Sequence, residues 1–322
     1  MQIGAGKFDN IGGRLSVQSV KTSTNVTVNL GKVVVPSGAG GYAQGVEVGR
    51  GLAVQTGSGN DTGTIVGALA SDNAAGGVKT PGIGTVINGD TYINLGDGNN
   101  YFDVLGARTP LNPIGGQETT FNGNVTYVAG NGNDSIELAG FGRGTGVGTE
   151  VNGNLTINLG DGNNNFGDMA FGGGGNGGLD FQETKVSGNL SITTGNGNNV
   201  MDFFGIGVGG TEAFHFGNGN NGTAAAPILI RTPGSKLIWN SGNGNDFLQL
   251  AAPLVNGAPM LFNVDIRLGN GDDTFQVGGA AGDRGGFISG SVDGGGRLTA
   301  NVFLFDPTLW TVVAPFTMSN FP

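Results

Sequence analysis

Residues 151–169 read Val-Asn-Gly-Asn-Leu-Thr-Ile-Asn-Leu-Gly-Asp-Gly-Asn-Asn-Asn-Phe-Gly-Asp-Met. Leu155, Ile157 and Leu159 alternate with Asn154, Thr156 and Asn158. A period of two puts the apolar side chains on one face and the polar ones on the other, as in a half-buried strand. Gly160-Asp-Gly-Asn-Asn164 then gathers residues that tolerate positive φ or hydrogen-bond their own backbone, so the chain turns there. A second short strand resumes at Phe166. The unit is strand, tight corner, strand.

The unit recurs along the chain. Its corner is Gly57-Ser-Gly-Asn-Asp61, Gly96-Asp-Gly-Asn-Asn100, Gly130-Asn-Gly-Asn-Asp134, Gly195-Asn-Gly-Asn-Asn199, Gly242-Asn-Gly-Asn-Asp246 and Gly269-Asn-Gly-Asp-Asp273. Val26, Val28 and Leu30 before Gly31 read as a first, degenerate copy, with Lys32 where the others carry Asp, Asn or Ser. Gly217-Asn-Gly-Asn-Asn221 keeps the corner but precedes a weak strand, and is either a further rung or an inserted loop. Glycines 31, 57, 96, 130, 160, 195, 242 and 269 lie 26 to 47 residues apart; counting Gly217 splits the longest interval into 22 and 25. Such a period marks a stacked architecture. No helical periodicity interrupts it, and most copies fall short of the roughly 40 residues a four-stranded propeller blade needs. The expected fold is all-β: a single-stranded parallel β-helix, or β-solenoid, of about eight rungs at roughly 4.8 Å each. Residues 1–24 are expected to cap it, 25–290 to form the rungs, and 291–322 to form a last rung with a cap or an assembly segment. The longest intervening stretches, 71–84, 107–118, 139–150 and 170–183, would protrude at one corner, where binding usually lives.

Composition narrows the class. Glycine fills 68 of 322 positions, about three times its usual share of roughly 7%, without the every-third-residue spacing of collagen. Hydrophobic residues still make up 37%, enough for a core. The net charge of −10 leaves no basic stripe for phosphates, so nucleic acid is not an expected partner. No spanning or leader-like segment is read, so membrane insertion is not expected. Cysteine is absent, which excludes disulfides and thiolate metal sites.

The corner Gly-x-Gly-Asn-[Asp/Asn]-x-apolar resembles the calcium-binding nonapeptide of the repeats-in-toxin family. Gly98, Gly132, Gly162, Gly197, Gly244 and Gly271 take its later glycine, and Phe102, Ile136, Phe166, Met201, Leu248 and Phe275 its apolar position. The resemblance puts the family's calcium aspartate on Asp61, Asp134, Asp246 and Asp273. Asn100, Asn164 and Asn199 depart from it, as does the rung length. It implies Ca2+ as a ligand, with Asp246, Asp272 and Asp273 as the best local group and Asp97 and Asp161 as weaker ones. Calcium takes six to eight oxygens, several of them carboxylates. The competing reading is that Asn and Asp hold the corner geometry and hydrogen-bond from rung to rung. More broadly, Gly153–Asn164 and Gly188–Asn199 are similar to the repeats of bacterial Gly/Asn-rich surface β-solenoids, which implies an extracellular or cell-surface structural or adhesive role.

Catalysis finds little footing. Asp103, Glu137 and Asp202 share one position of the second strand, the kind of carboxylate pairing a polysaccharide-cleaving β-helix would use, but Asp168 is out of phase and later copies carry Gln249 and Gln276. His215 is the single histidine. At the C-terminal end an apolar segment holds Phe303, Phe305, Leu309, Trp310, Val312, Val313 and Phe316. It reads as a last rung and cap, or as a surface for self-association head to tail. The expected function is a non-enzymatic extracellular rod with itself, and a surface glycan, as candidate partners.

Overall fold

The computed structural model describes residues 2–3, 9–19, 25–30, 32–34, 42–44, 46–66, 84–105, 119–139, 149–167, 184–203, 206–224, 228–230, 235–252, 259–280, 283–296 and 300–322. Among them are strands and turns and no helix. The strands form three parallel sheets plus one antiparallel pair, Lys32–Val34 with Tyr42–Gln44. The chain is a parallel β-helix.

Each turn visits the sheets in the same order. A short strand of the third sheet, such as Thr149–Val151, leads through Asn152-Gly-Asn154 into the entry sheet, here Leu155–Leu159. The Gly-x-Gly corner then passes the chain to the exit sheet, here Asn165–Gly167. The entry sheet has eleven strands, from Leu15–Gln18 to Thr311–Ser319; the exit sheet has eleven, from Gln2–Ile3 to Val302–Phe305; the third sheet has seven, from Asp9–Ile11 to Ile206–Val208. In these three sheets neighbours come from successive turns, so their ladders are parallel and their pairings non-local. Two rungs beyond the end of the third sheet the entry strands lengthen: Met260–Arg267 and Gly286–Asp293 each hold eight residues.

Side chains of equal phase stack into columns. In the entry sheet one inward column runs Val54, Ile93, Tyr127, Ile157, Ile192, Phe214, Trp239, Ile266, Val292, all buried. In the exit sheet Gly63 sits in register with Phe102, whose ring fills the space a side chain at position 63 would need. Phe102 stacks on Tyr127 across the core at 5.1 Å. The alternation seen in the sequence thus becomes one continuous apolar interior with polar outer faces.

The rung count exceeds the eight or so that the corners mark. Gly217 belongs to a true rung: Thr211–His215 pairs in register with both Leu190–Thr194 and Lys236–Asn240, and Ile228–Ile230 follows in the exit sheet. The first copy was one strand out of phase. Thr27–Leu30 lies in the exit sheet, beside Thr62–Val66, and the entry strand of that rung is Leu15–Gln18. Residues expected only to cap therefore build rungs, and 1–24 contribute strands to all three sheets. Near the other end, Gly294-Gly295-Gly296 is a corner with no Asn or Asp to announce it, and Gly271 donates to its last carbonyl. The long stretches 71–83, 107–118, 140–148 and 170–183 lie outside the described residues.

The corner demands glycine at its second Gly. Gly162 has φ +140°, and a Cβ there would overlap the carbonyl oxygen of Gly132 in the rung before. Its N–H donates to Asn196 O in the rung after, at 2.7 Å. Gly162→Ala is therefore expected to cost about 2–4 kcal/mol through strain and lost stacking, read as a lowered melting temperature. Asn163→Ala, which removes one exposed hydrogen bond, should cost about 1 kcal/mol. A Gly162→Ala chain melting with the parent would contradict the stacked-corner geometry.

Candidate functional site

The corners are the most chemically regular part of the molecule. A main chain leaving one sheet for another loses its ladder partners, and its N–H groups need others. Backbone carbonyls one rung away accept the N–H groups of corner glycines such as Gly132 and Gly162, and side-chain oxygens one rung away accept those of the residues between and after them. Position four of the corner forms an exposed row: Asn25, Asn60, Asn99, Asn133, Asn163, Asn198, Asn220, Asn245, Asp272. Each side-chain oxygen accepts the backbone N–H of the next residue in the row, and Asp272 accepts Ala300 N–H, at 2.8–3.1 Å. The x position makes a second exposed row, in which Asp97 accepts Asn131 N–H and Asp161 accepts Asn196 N–H. A third runs along the other corner, where Asp90, Asn124, Asn154 and Asn189 accept N–H groups of the following rung.

Position five forms a buried row, and it points the other way. Asp61 accepts Val26 N–H, Asn100 accepts Asp61 N–H, Asp134 accepts Asn100 N–H, Asn164 accepts Asp134 N–H and Asn199 accepts Asn164 N–H. Asp246, Asp273 and Asn301 continue the row by accepting from Asn221, Asp246 and Asp273. Each oxygen caps the preceding rung, whereas the exposed rows cap the following one. Two opposed rails thus clamp every corner.

Asparagine and aspartate differ sharply inside this buried row. Asn100 Nδ2 donates to Gly96 O and Gly98 O of its own corner, and Asn164 does the same to Gly160 O and Gly162 O. An aspartate presents Oδ2 where the amide nitrogen would be. The Oδ2 atoms of Asp61, Asp134, Asp246 and Asp273 are buried and have no hydrogen-bond partner. Burial pushes the carboxyls of Asp134 and Asp246 up to about 6 and that of Asp273 to about 7. Accepted N–H bonds oppose the shift in all three. The charge of Asp97 adds to it at Asp134, and those of Asp246 and Asp272 add to it at Asp273. Burial likewise raises Tyr127, with Asp134 and Asp61 adding to it.

The calcium candidates are therefore sorted into different rows. Asp246 and Asp273 are neighbours in the buried row. Asp272 faces outward beside Asp273 and belongs to the exposed row. Asp61 and Asp134 are separated by Asn100. Asp97 and Asp161 are exposed at the x position. Among the described residues no three or more His, Asp or Glu side chains gather closely enough to form a metal-holding group. Backbone register aligns Asp103 with Glu137 and Asp202 with Gly167 and Leu229, so the exit-strand carboxylate column is broken. His215 lies exposed on an entry strand beside Asn240.

At the C-terminal end, Trp310 is core and not an exposed contact residue. It is 2% exposed, tilts against Phe262 and donates its indole N–H to Asp283 Oδ2 at 2.9 Å. Phe303, Phe305 and Phe316 are half-buried against the core; Leu309, Val312 and Val313 are exposed. Val302, Leu304 and Met318, exposed in the same region, were not singled out from sequence, because Val302-Phe-Leu-Phe305 is an unbroken apolar run in which no period marks the outward side chains. The buried threonines 119, 149 and 184 of the third sheet, and Thr85 just before its strand Val86–Ile87, were also missed, because single polar residues in or beside short strands read as outward-facing. Comparison with protein-family models, curated proteins and solved structures finds no match.

The buried row sets a pH dependence. A carboxyl whose folded-state pKa is raised stabilises the fold fully below the unfolded value, 3.8 here, and that contribution is lost as pH rises through the folded value. The melting temperature is expected to fall between about pH 4 and pH 7. Replacing Asp134, Asp246 and Asp273 together with Asn supplies amide donors to the corner carbonyls and should flatten that fall. A parent-minus-variant difference that is constant over this interval would refute the assignment.

Proposed function

We propose that this chain is a non-enzymatic structural or adhesive rod that works outside the cell or on its surface. The observation supporting this is where the polar side chains go. Along the corners they hydrogen-bond to neighbouring rungs in long rows, which stiffens a rod rather than building a cleft. The one carboxylate column suited to glycosidic chemistry is interrupted by Gly167 and Leu229. The lack of cysteine and the acidic surface suit an exposed, soluble setting. Labelling of intact expressing cells with an antibody to the chain tests location, and confinement to the cytosolic fraction would overturn it. Polysaccharide turnover that disappears in Asp202→Ala would overturn the non-enzymatic reading.

A second reading has one observation in its favour. Four buried Oδ2 atoms lack a hydrogen-bond partner, and a cation is one way to satisfy such oxygens. The residues that would hold Ca2+ are Asp246 and Asp273, with carbonyls of their corner glycines. On this reading a chelator at about pH 8 lowers the melting temperature by about 5 °C or more, and Asp246→Asn/Asp273→Asn abolishes the effect. Identical melting with chelator and with excess Ca2+ removes calcium from the account.

A further inference from the structure

We propose that Asn152 is a modification site: in the folded rod its side-chain amide is lost spontaneously to attack by the backbone nitrogen of Gly153, leaving aspartate or isoaspartate at that position. This chemistry is independent of where the rod works and of what it binds.

An asparagine followed by glycine carries its own nucleophile. The Gly153 nitrogen gives its proton to water and attacks Cγ of Asn152. The N–Cγ bond forms, the Cγ–Nδ2 bond breaks, and Nδ2 leaves as ammonia with a proton taken back from water. Water then opens the five-membered imide at one of its two carbonyls. One opening gives aspartate; the other routes the main chain through the former side chain and gives isoaspartate. The sum is amide plus water to acid plus ammonia, so no further reactant is needed. Glycine has no Cβ to crowd the attacking nitrogen. The nitrogen must also be free. An N–H held by the next rung must first break that bond, which requires the corner to open locally.

The structure divides the Asn-Gly pairs on this point. In the Gly-x-Gly corners Asn131, Asn196, Asn218, Asn243 and Asn270 precede Gly132, Gly197, Gly219, Gly244 and Gly271. Each of these glycines donates its N–H to a carbonyl of the following rung at 2.7–2.8 Å. The corner between the third and entry sheets differs. There Gly188 donates to Gly153 O at 3.0 Å and Gly210 to Gly188 O at 2.9 Å, but they follow Ser187 and Gly209. Gly153 does follow an asparagine, and its N–H donates to no group among the described residues.

The Asn152 side chain is also the most loosely held of its row. Asn122 Nδ2 donates to Asn88 Oδ1 at 2.7 Å, and Asn152 Nδ2 donates to Asn122 Oδ1 at 3.0 Å. The row stops there, because Ser187 occupies the position in the next rung. Asn122 Oδ1 is thus engaged, whereas Asn152 Oδ1 accepts from no group among the described residues. Asn131 and Asn152 are both exposed, and Gly132 and Gly153 are both half-buried. Solvent access therefore does not separate the two pairs; the glycine N–H does.

Conversion alters the corner. A carboxylate at position 152 has no N–H for Asn122 Oδ1, so the last bond of the row is lost. Isoaspartate also adds a methylene to the main chain. It does so between two rung-to-rung bonds, from Asn152 N–H to Phe121 O and from Gly188 N–H to Gly153 O.

Each conversion fixes an oxygen from solvent. Incubating the folded chain in heavy-oxygen water at mildly alkaline pH, followed by peptide mapping, therefore reads all sites together. Label is expected at residue 152 about tenfold faster than at Asn131 or Asn196 in the folded chain. In denaturant, where no N–H is held by a neighbouring rung, the rates are expected to converge. Asn152→Gln, which can cyclise only through a larger and slower-forming ring, is expected to abolish label there and to leave the folded rates elsewhere unchanged. Equal folded rates at residues 152 and 131 would overturn the proposal. So would a contrast that persists undiminished in denaturant, since local sequence and not the fold would then set it.

Discussion

The structure depends on hydrogen bonds that Asn and Asp side-chain oxygens accept from backbone N–H groups of the neighbouring rung. Strands in a parallel stack satisfy one another without help, but corners do not, because there the main chain turns out of every sheet. Corners can repeat only if each N–H finds an acceptor at the height of one rung. Asn163 and Asn164 show how two adjacent residues meet this need in opposite directions: the Asn163 oxygen serves Asn198 above it and the Asn164 amide group serves its own corner, while the Asn164 oxygen serves Asp134 below. This fixes the rung height and the lateral register together, and the apolar columns inherit both.

The same constraint explains the glycines. A corner that stacks directly on its predecessor leaves no room for a Cβ at its second Gly, and the positive φ there excludes most other residues in any case. It also explains the one irregularity in the buried row. Asparagine serves both neighbours, with an acceptor for the preceding N–H and a donor for its own carbonyls. Aspartate serves only the first while ionised. The row tolerates Asp134, Asp246 and Asp273 because burial favours the neutral acid, which has an O–H in place of the amide donor. The cost of that substitution depends on pH, whereas that of asparagine does not.

A stacked fold has no intrinsic end. Each rung is covered by the next, and in the described residues nearest position 322 some side chains of the inward columns are partly open. The described residues show two partial remedies. Trp310 folds into the core over Phe262, tied to Asp283, and Phe321 leans on Phe303. Val312 and Met318 remain open beyond them.

Much of this was legible in the chain itself. Period-two alternation around Ile157 fixed which side chains face inward, and the recurrence of Gly-x-Gly-Asn-[Asp/Asn] implied a parallel stack, because both signals arise from local sterics and from burial on a single face. What the residues could not convey were features set by neighbours distant in sequence. Val26 holds the place that Asp and Asn hold in other rungs, and the corner Gly294-Gly295-Gly296 takes its buried asparagine, Asn301, from further along the chain than other corners do; each is recognisable only from the rung it pairs with. The same holds for the direction of the two rows: Asp272 and Asp273 are adjacent and chemically identical, yet one is solvated and the other buried with an unpaired oxygen. Sequence alone determined the alternation and the turns; tertiary structure decided which groups share an environment, since in a parallel stack every stabilising partner lies a full turn away along the chain.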